Sequence, residues 1–287
     1  MVIVGHIGSA IPGLRLFTPL GATGVGLFLV CSGYGIEKSY NKNGRIGYWK
    51  KRIINVWIPY AIIELFALPL HIEKGCVSII KDLLLIETLH PFGWYMQYIF
   101  VWYIVYYLFS FIKKRSIQYA LYILLITIII CFSTALYAQN SFSFLIGILI
   151  ARIECSKYIS CKNLIVLGVI TLCLFVCRDY VKNNAHDVLL LWNPISLLYY
   201  TSLIVLSILV YELVIKAKNK MNSEKGFLCF GVFSYELYLA HGYACSLMGK
   251  SASILTILEF VVLTIIGTIS LKKINMYTIN KLIKNNQ

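Results

Sequence analysis

The chain has 287 residues, of which 59% are hydrophobic and 13% charged, with a mean hydropathy of +0.78 and a formal net charge of +14. Soluble domains carry about 25% charged residues, so this composition excludes an ordinary water-soluble globule and an intrinsically disordered chain. The uncharged residues form long runs that are separated by short basic segments. We therefore predict an all-α integral membrane protein with one domain over residues 1–287.

The apolar runs, taken in chain order, have the length of membrane-spanning helices, which need about 20 apolar residues to cross the hydrocarbon core. Charged residues are absent from residues 16–36, 88–112, 116–151 and 188–211. Shorter or singly interrupted runs cover residues 53–70, 164–177, 227–248 and 254–271. The run 116–151 is too long for one helix and is interrupted by Gln139 and Asn140. It is expected to form two helices, which gives a total of about nine spans.

The segment 1–7 that precedes the first long run is apolar and contains His6. It is too short to cross a bilayer, and it lacks the basic start and the cleavage site of a signal peptide. We interpret it as the outer end of a first helix whose beginning is missing, so that the N-terminal helix is incomplete.

The positions of the 26 Lys and Arg residues predict the orientation of the chain in the membrane. If residues 37–52 are cytoplasmic, about 20 basic residues fall inside and about 6, including Arg178 and Lys182, fall outside, as the positive-inside rule requires. The C-terminus is then cytoplasmic and His6 lies towards the outer face. The basic excess is explained by topology and indicates no nucleic-acid partner.

Few ionisable side chains lie within or next to the predicted spans, among them His6, Glu64, Glu236, His241 and Glu259. Because such groups are costly in hydrocarbon, each is a candidate for a functional site. A neutral histidine can accept a hydroxyl proton near pH 7, and a neighbouring carboxylate can orient it. His6 is therefore the candidate base, with Glu64, Glu236 and His241 as supporting acid, base or orienting groups. A histidine that only packs between helices is the structural alternative.

A second candidate site lies on the predicted cytoplasmic side. The basic residues Lys50, Lys51 and Arg52 stand at a predicted helix start and could bind phosphate groups, although basic anchoring of the membrane helix is the simpler alternative. Ser32 and Gly33 end the preceding predicted helix, where small residues allow a helix or a ligand to approach closely. Cys173 and Cys177 share a predicted helix face, but no histidine or carboxylate follows them at ligand spacing, so no metal site is predicted.

Five parts of the sequence, in this order, resemble those of the membrane-bound acyltransferase family 3. They are His6, FLVCSGY at 28–34, YWKKR at 48–52 followed by IPY at 58–60, GWYM at 93–96 and FSYELYLAH at 233–241. The resemblance implies about ten helices that each cross the membrane completely. It also implies an O-acyltransferase, most often an O-acetyltransferase, of the bacterial cytoplasmic membrane.

The same resemblance implies the substrates and the roles of several residues. Acetyl-CoA would donate the acyl group from the cytoplasm, and an extracytoplasmic carbohydrate or cell-envelope glycan would accept it. His6 would be the general base for the acceptor hydroxyl or a transient acyl carrier. Five residues would lie on the donor side: Ser32, Gly33, Lys50, Lys51 and Arg52. Of these, the two lysines and the arginine would lie near the phosphates of CoA.

Two features depart from the family pattern. Relatives usually carry an arginine before the histidine in the first helix, which is absent from the five residues before His6, and Asn55 stands where relatives often have another arginine. Two alternatives therefore remain beside the acyltransferase: a transporter or exporter of a polar solute, whose buried Glu and His would relay protons, and a catalytically inactive truncated membrane protein. Residues 71–92, the longest predicted external connection, are the candidate for acceptor contacts, with an ordinary solvated loop as the alternative.

Overall fold

The computed structural model of the chain describes residues 1–10, 17–153, 160–185, 187–218, 225–247 and 254–284. All regular secondary structure in these ranges is helical, which confirms the all-α part of the predicted fold class. Several residues used in the topology prediction lie outside the described residues, namely Arg15, Lys157, Lys220, Lys250 and the tail 285–287.

Helices follow one another along the whole of the described chain. In order, they are α1 (Val2–Ala10), α2 (Pro19–Asn43), α3 (Tyr48–Arg52), α4 (Ile58–Phe66), α5 (Leu68–His71), α6 (Gly75–Leu83), α7 (Trp94–Phe109), α8 (Arg115–Phe132), α9 (Ala135–Ala138), α10 (Ser143–Arg152), α11 (Cys161–Asn184), α12 (Leu189–Lys218), α13 (Lys225–Leu247) and α14 (Ile254–Lys284). A π-helical turn (Ile53–Trp57) joins α3 to α4, and a 3-10 turn (Ile72–Lys74) joins α5 to α6.

Five helical segments in the described ranges are long and apolar enough to cross a membrane. They are Pro19–Asn43, Arg115–Phe132, Lys162–Asn184, Leu189–Leu213 and Leu255–Lys281, and the broken pair Tyr48–Phe66 and Leu68–Leu83 adds a sixth if it is one span. The predicted break within residues 116–151 is present, because α8 ends at Phe132 and α10 begins at Ser143. The count is lower than predicted partly because α7 has only 16 residues and α10 only 10.

Two prolines explain why the predicted span 53–70 is not one straight helix. Pro59 has no N–H to donate to the carbonyl group of Asn55, and the chain forms the wider π-helical turn there. Pro69 lies in the first turn of α5, where its missing N–H is tolerated. The break before Pro69 separates Tyr48–Phe66 from Leu68–Leu83, and these two parts meet at an angle of 70°.

The chain divides into two compact units. Unit 1 comprises Met1–Gly5, Pro19–Gly44 and Trp102–Ser223, and unit 2 comprises His6–Thr18, Arg45–Val101 and Glu224–Gln287.

Unit 1 contains a close contact between the backbones of α2 and α10. A Cβ atom at Gly33 would collide with the carbonyl oxygen of Phe144, and one at Gly147 would collide with that of Val30. Because glycine has no side chain, the two helices can approach until their backbones touch. Gly33, which the sequence placed with the donor-binding residues, therefore has a packing role in this unit.

Unit 1 also contains an ion pair, between buried Glu37 and partly buried Arg152, that has several hydrogen-bond partners. Arg152 donates from Nε to Glu37 Oε1 at 2.8 Å and from Nη2 to Glu37 Oε2 at 3.1 Å. The Tyr106 hydroxyl donates to Glu37 Oε2 at 2.8 Å, and Arg152 Nη1 donates to the Tyr119 hydroxyl at 2.9 Å. Since a buried charge is tolerated when it is paired and hydrogen-bonded, these contacts hold α2, α7, α8 and α10 together.

Unit 2 is organised around α4, α6, α13 and α14. The indole N–H of Trp57 donates to the carbonyl of Leu83 at 2.8 Å, which fixes the end of α6 beside the start of α4. The Tyr235 hydroxyl donates to the carbonyl of Val56 at 2.7 Å, which ties α13 to the π-helical turn. These bonds position the connection 84–93, which carries part of the candidate active site.

Candidate active site

Unit 2 places His6 and His241 side by side. The centroids of the two imidazole rings are 5.4 Å apart. The ring of Phe92 stacks on both, with centroid distances of 4.2 Å to His6 and 5.1 Å to His241. His6 is half-buried and His241 is fully buried. The two histidines that the sequence proposed for one site are therefore joined through an aromatic residue that it did not single out.

The hydrogen bond of His241 assigns its proton to one ring nitrogen. Nδ1 lies 3.2 Å from the carbonyl oxygen of Leu237, one turn earlier in α13, so Nδ1 donates. Nε2 of the neutral ring then carries a lone pair. This atom is buried and has no hydrogen-bond partner within the described part of the chain. It is an acceptor that a substrate hydroxyl could use.

Phe92 is held in place through its backbone. Its N–H donates to Nδ1 of His90 at 3.0 Å, and its carbonyl accepts a hydrogen bond of 3.0 Å from the Tyr238 hydroxyl. Because Nδ1 of His90 accepts, its proton is on Nε2, which donates to the carbonyl of Leu239 at 3.0 Å. The connection 84–93 is thereby fixed onto α13.

Gly242 makes room for this arrangement. A Cβ atom at this position would lie 2.5 Å from Cε1 of His90 and 3.2 Å from Cδ2 of Phe92. The first distance is shorter than a van der Waals contact, so any side chain here would displace His90 or α13. Gly242 directly follows His241 in α13, and its glycine identity inside a helix was the only sequence signal for this role.

The pKa of His90 is lowered to about 4, chiefly because burial disfavours the charged ring. Its hydrogen bond to the Leu239 carbonyl and the charge of Asp82 oppose this effect only in part. His90 lies in the connection before α7, outside the membrane-spanning helices. The geometry agrees with a neutral ring, because a proton on Nδ1 would face the N–H of Phe92.

Glu64 joins the site through Tyr243. The Tyr243 hydroxyl donates to Glu64 Oε2 at 2.7 Å and lies 3.1 Å from Nε2 of His71. The only hydroxyl proton is used by the carboxylate, so His71 is the donor to Tyr243. The Tyr243 ring also contacts the ring of His90 edge-on, at a centroid distance of 4.8 Å. Glu64 thus orients a residue that packs behind the histidine cluster.

Asp82 fixes the other end of the connection 84–93. It is 1% exposed and accepts hydrogen bonds from the Tyr60 hydroxyl at 2.6 Å and from the backbone N–H of Leu89 at 2.8 Å. Residues 71–92, which the sequence suggested for acceptor contacts, therefore contribute His71, Asp82 and His90 to the surroundings of the candidate site. In these three positions the segment is part of a packed network.

Glu236 and Glu259 take other positions. Glu236 is buried and accepts from Lys272 at 3.0 Å and from Asn275 at 3.4 Å, which links α13 to α14. Glu259 is exposed on α14. Within the described residues, no group of three or more His, Cys, Asp or Glu side chains could hold a metal ion.

The residues proposed for the acyl donor are distributed over both units. Lys50 and Lys51 of unit 2 are exposed, where their ammonium groups can contact anions. Arg52 is buried, donates to the carbonyl of Tyr48 at 3.1 Å and stacks over the Tyr48 ring at 4.3 Å, so it stabilises α3 itself. Ser32 and Gly33 belong to unit 1, where Ser32 is partly exposed.

An apolar pocket of about 290 Å³ lies between helices of unit 2. Its walls are mainly aliphatic and come from α4, α5, α13 and α14. Ala240 and Tyr243, which flank His241 in α13, are part of the lining. The chemistry of these walls suits an alkyl group better than a sugar.

The comparison with known families favours the acyltransferase among the alternatives left open by the sequence. A family model described as an acyltransferase domain matches residues 1–270. The chain belongs to acyltransferase family 3. No curated protein and no solved structure matches it. With several helices of membrane length, this family 3 acyltransferase is a multi-pass membrane protein.

Proposed function

We propose that the protein is a membrane O-acyltransferase that moves an acyl group, by default acetyl, from cytoplasmic acyl-CoA to a hydroxyl of an extracytoplasmic carbohydrate or cell-envelope glycan. The observation that supports this function best is the pairing of His6 with His241 around Phe92, in a chain matched by an acyltransferase domain. An acyl transfer needs a base for the acceptor hydroxyl, and these imidazoles are the groups suited to that task.

The histidines divide the work in this proposal. His6 is half-buried, so a substrate reaches it, and it removes the proton of the acceptor hydroxyl. The oxygen attacks the thioester carbonyl carbon, a C–O bond forms, the C–S bond breaks and the proton passes to the CoA thiolate. His241 is held by Leu237 and accepts a hydrogen bond from a second hydroxyl of the acceptor at Nε2. Phe92 stacks on both rings and fixes their orientation relative to each other.

On the donor side, Lys50 and Lys51 are the residues that fit the phosphates of CoA. They are exposed and carry point charges suited to phosphate oxygens. Arg52 is engaged with Tyr48 and acts indirectly, by holding α3. Cytoplasmic delivery of the donor follows from the predicted orientation of this basic segment.

The test measures transfer of label from acetyl-CoA to envelope glycans in membranes that contain the protein. We expect His6→Ala to lower the rate about 10²- to 10⁴-fold, the usual contribution of a general base, and His241→Ala to lower it less. Tyr277→Ala, at a position 70% exposed on α14, is the matched control and should retain the wild-type rate. Each variant is compared at equal amounts of folded protein.

The outcomes separate the candidate functions. Ester-linked label that His6→Ala transfers at the wild-type rate contradicts the role of His6. An absence of ester-linked label with the wild-type protein contradicts acyl transfer and favours the transporter or the inactive protein.

A further inference from the structure

One face of α12 in unit 1 carries polar and aromatic side chains that are buried. At about 100° per residue, a single stripe within about 120° contains Trp192, Asn193, Ser196, Tyr199 and Tyr200. Each of these side chains is at most 6% exposed. Helices in a bilayer normally bury small or apolar residues against one another, so a polar stripe of this kind marks a specific site.

Arg178 of α11 lies against this stripe. Its guanidinium carbon is 4.7 Å from the ring centroid of Trp192, 5.2 Å from that of Tyr200 and 5.4 Å from that of Tyr199. All three distances are within the range of cation–π attraction, about 6 Å. The rings hold the planar group in place without using its N–H donors.

Three polar atoms of the stripe and of Arg178 have no hydrogen-bond partner in the described part of unit 1. They are Nε of Arg178, Oδ1 of Asn193 and Oγ of Ser196, and all three are buried. The Asn193 amide is oriented by its nitrogen, which donates to the carbonyls of Ile130 at 2.8 Å and Ser133 at 3.0 Å. Its oxygen is therefore left as a fixed acceptor.

Unpaired buried polar atoms are unfavourable, and several of them in one place indicate that a ligand supplies the partners. The groups themselves specify the chemistry of that ligand. A guanidinium fork pairs with a carboxylate or a phosphate, an amide oxygen and a hydroxyl bond hydroxyl groups, and aromatic rings pack on sugar faces. An acidic residue of the chain that would neutralise Arg178 is not found among its contacts in the described residues.

We propose that Arg178, Trp192, Asn193, Ser196, Tyr199 and Tyr200, which together we call the Arg178 site, bind an anionic, hydroxyl-rich group such as a sugar acid or a sugar phosphate. The charge pattern predicts that Arg178 lies towards the outer face. Identification of the ligand with a charged acceptor glycan rests on the function proposed above, whereas the Arg178 site itself does not.

The experiment measures binding by calorimetry with the full chain purified in detergent and without acyl-CoA. The probes are glucuronate and glucose 6-phosphate, with glucose as the neutral counterpart. We expect both anions to bind, and glucose to bind at least about tenfold more weakly, as expected for loss of one charge-assisted hydrogen bond. Comparing the two anions shows whether the fork prefers a carboxylate or a phosphate.

Variants locate the binding. Arg178→Gln should remove the preference for anions over glucose, and Ser196→Ala should weaken binding of all three probes several-fold. Lys182→Gln is the matched control, because Lys182 is exposed on the same helix and the substitution removes the same charge. It should bind as the wild type does.

Wild-type affinity in Arg178→Gln, or equal losses in Arg178→Gln and Lys182→Gln, would overturn the proposal. If Arg178→Gln does not fold, Arg178→Lys and Ser196→Ala decide, because lysine keeps the charge but lacks the planar fork. Unchanged affinity in both then overturns it. The protein could bind anions through Arg178 and yet transfer no acyl label. That result would support the Arg178 site and contradict only the proposed acyltransferase function.

Discussion

His241 and His90 carry their protons on different ring nitrogens, and their hydrogen bonds determine which. Among the described residues, His241 donates from Nδ1 to Leu237 and has no partner at Nε2, whereas both nitrogens of His90 are hydrogen-bonded, to Phe92 and Leu239. A histidine whose second nitrogen keeps a free lone pair can accept a hydrogen bond or a proton from a substrate, whereas a histidine with both nitrogens hydrogen-bonded to the protein has a structural role. The same residue type therefore has two roles within one cluster.

Because both ring nitrogens of buried His90 are hydrogen-bonded in the neutral form, we expect the free energy of unfolding to depend on pH. The pKa of His90 is lowered from 6.5 to about 4, mainly by burial, so between these values the unfolded chain binds a proton that the folded chain does not. Stability therefore decreases as the pH falls through 6.5 and stops decreasing on this account below about 4. The full difference is about 3 kcal/mol at 1.36 kcal/mol per pKa unit. Thermal unfolding of the purified protein between pH 7 and pH 4 measures it.

The control for this prediction is His90→Leu, which lacks the titrating ring. The variant should be less stable than the wild type at pH 7, because Phe92 and Leu239 lose a partner. Its stability should change less between pH 7 and pH 4. Parallel pH profiles of the two proteins would show that His90 is not responsible.

The site residues that could be predicted from the sequence are those that are chemically unusual for a membrane span. His6 and His241 stand out because an ionisable side chain in an apolar run is rare. Phe92 and Gly242 could not be found in this way. Phe92 acts through its shape and backbone, and Gly242 through the absence of a side chain. Aromatic residues and glycines occur throughout this chain, so Phe92 carries no signal of its own and the glycine at 242 carries only a weak one.

The contact between helices α2 and α10 depends on glycines that touch a neighbouring backbone. A Cβ atom on Gly33 would meet the carbonyl oxygen of Phe144, whereas one on Gly35, two residues later in α2, would have no heavy atom of the described chain within 4 Å. The two glycines therefore form a matched pair for mutation, because they lie in the same helix, only two residues apart.

We expect Gly33→Ala to destabilise the protein by about 1–3 kcal/mol, the usual effect of overpacking. Gly35→Ala should be neutral or stabilise by up to about 1 kcal/mol, because alanine favours the helix. Thermal unfolding in detergent compares the two. If Gly33 acts only in donor binding, Gly33→Ala would instead reduce acyl transfer and leave the unfolding temperature at that of Gly35→Ala.

The ends of helices could be predicted from the sequence where polar residues interrupt an apolar run. The polar residues Gln139 and Asn140 indicated a break inside the uncharged run 116–151, and the structure has one between α8 and α10. The bend between α4 and α5 was missed, although Pro59 and Pro69 are visible in the sequence. Proline shows where a hydrogen bond is lost, but the angle of 70° depends on what the next helix packs against.

At the scale of the whole molecule, hydrophobic side chains cover the outside of several helices. On α11, Ile165, Val169, Leu172 and Val176 are each more than 55% exposed. Such a surface is unfavourable in water and suitable for lipid. Together with the family match, it accounts for the composition from which the membrane prediction began.

The orientation of this multi-pass protein is predicted by charge alone and can be tested with reporter fusions. Translocating Lys and Arg across the membrane is disfavoured, so the basic connection that ends at Lys114 and the C-terminus should be cytoplasmic, and the connection after Asn184 should be outside. A fluorescent protein should therefore fluoresce when fused after Lys114 or after Gln287, and alkaline phosphatase should be active only after Asn184. Exchanging the two reporters at each position is the control. The opposite pattern would place Lys50 and Lys51 outside, away from cytoplasmic acyl-CoA, and would contradict both the orientation and the donor side of the proposed reaction.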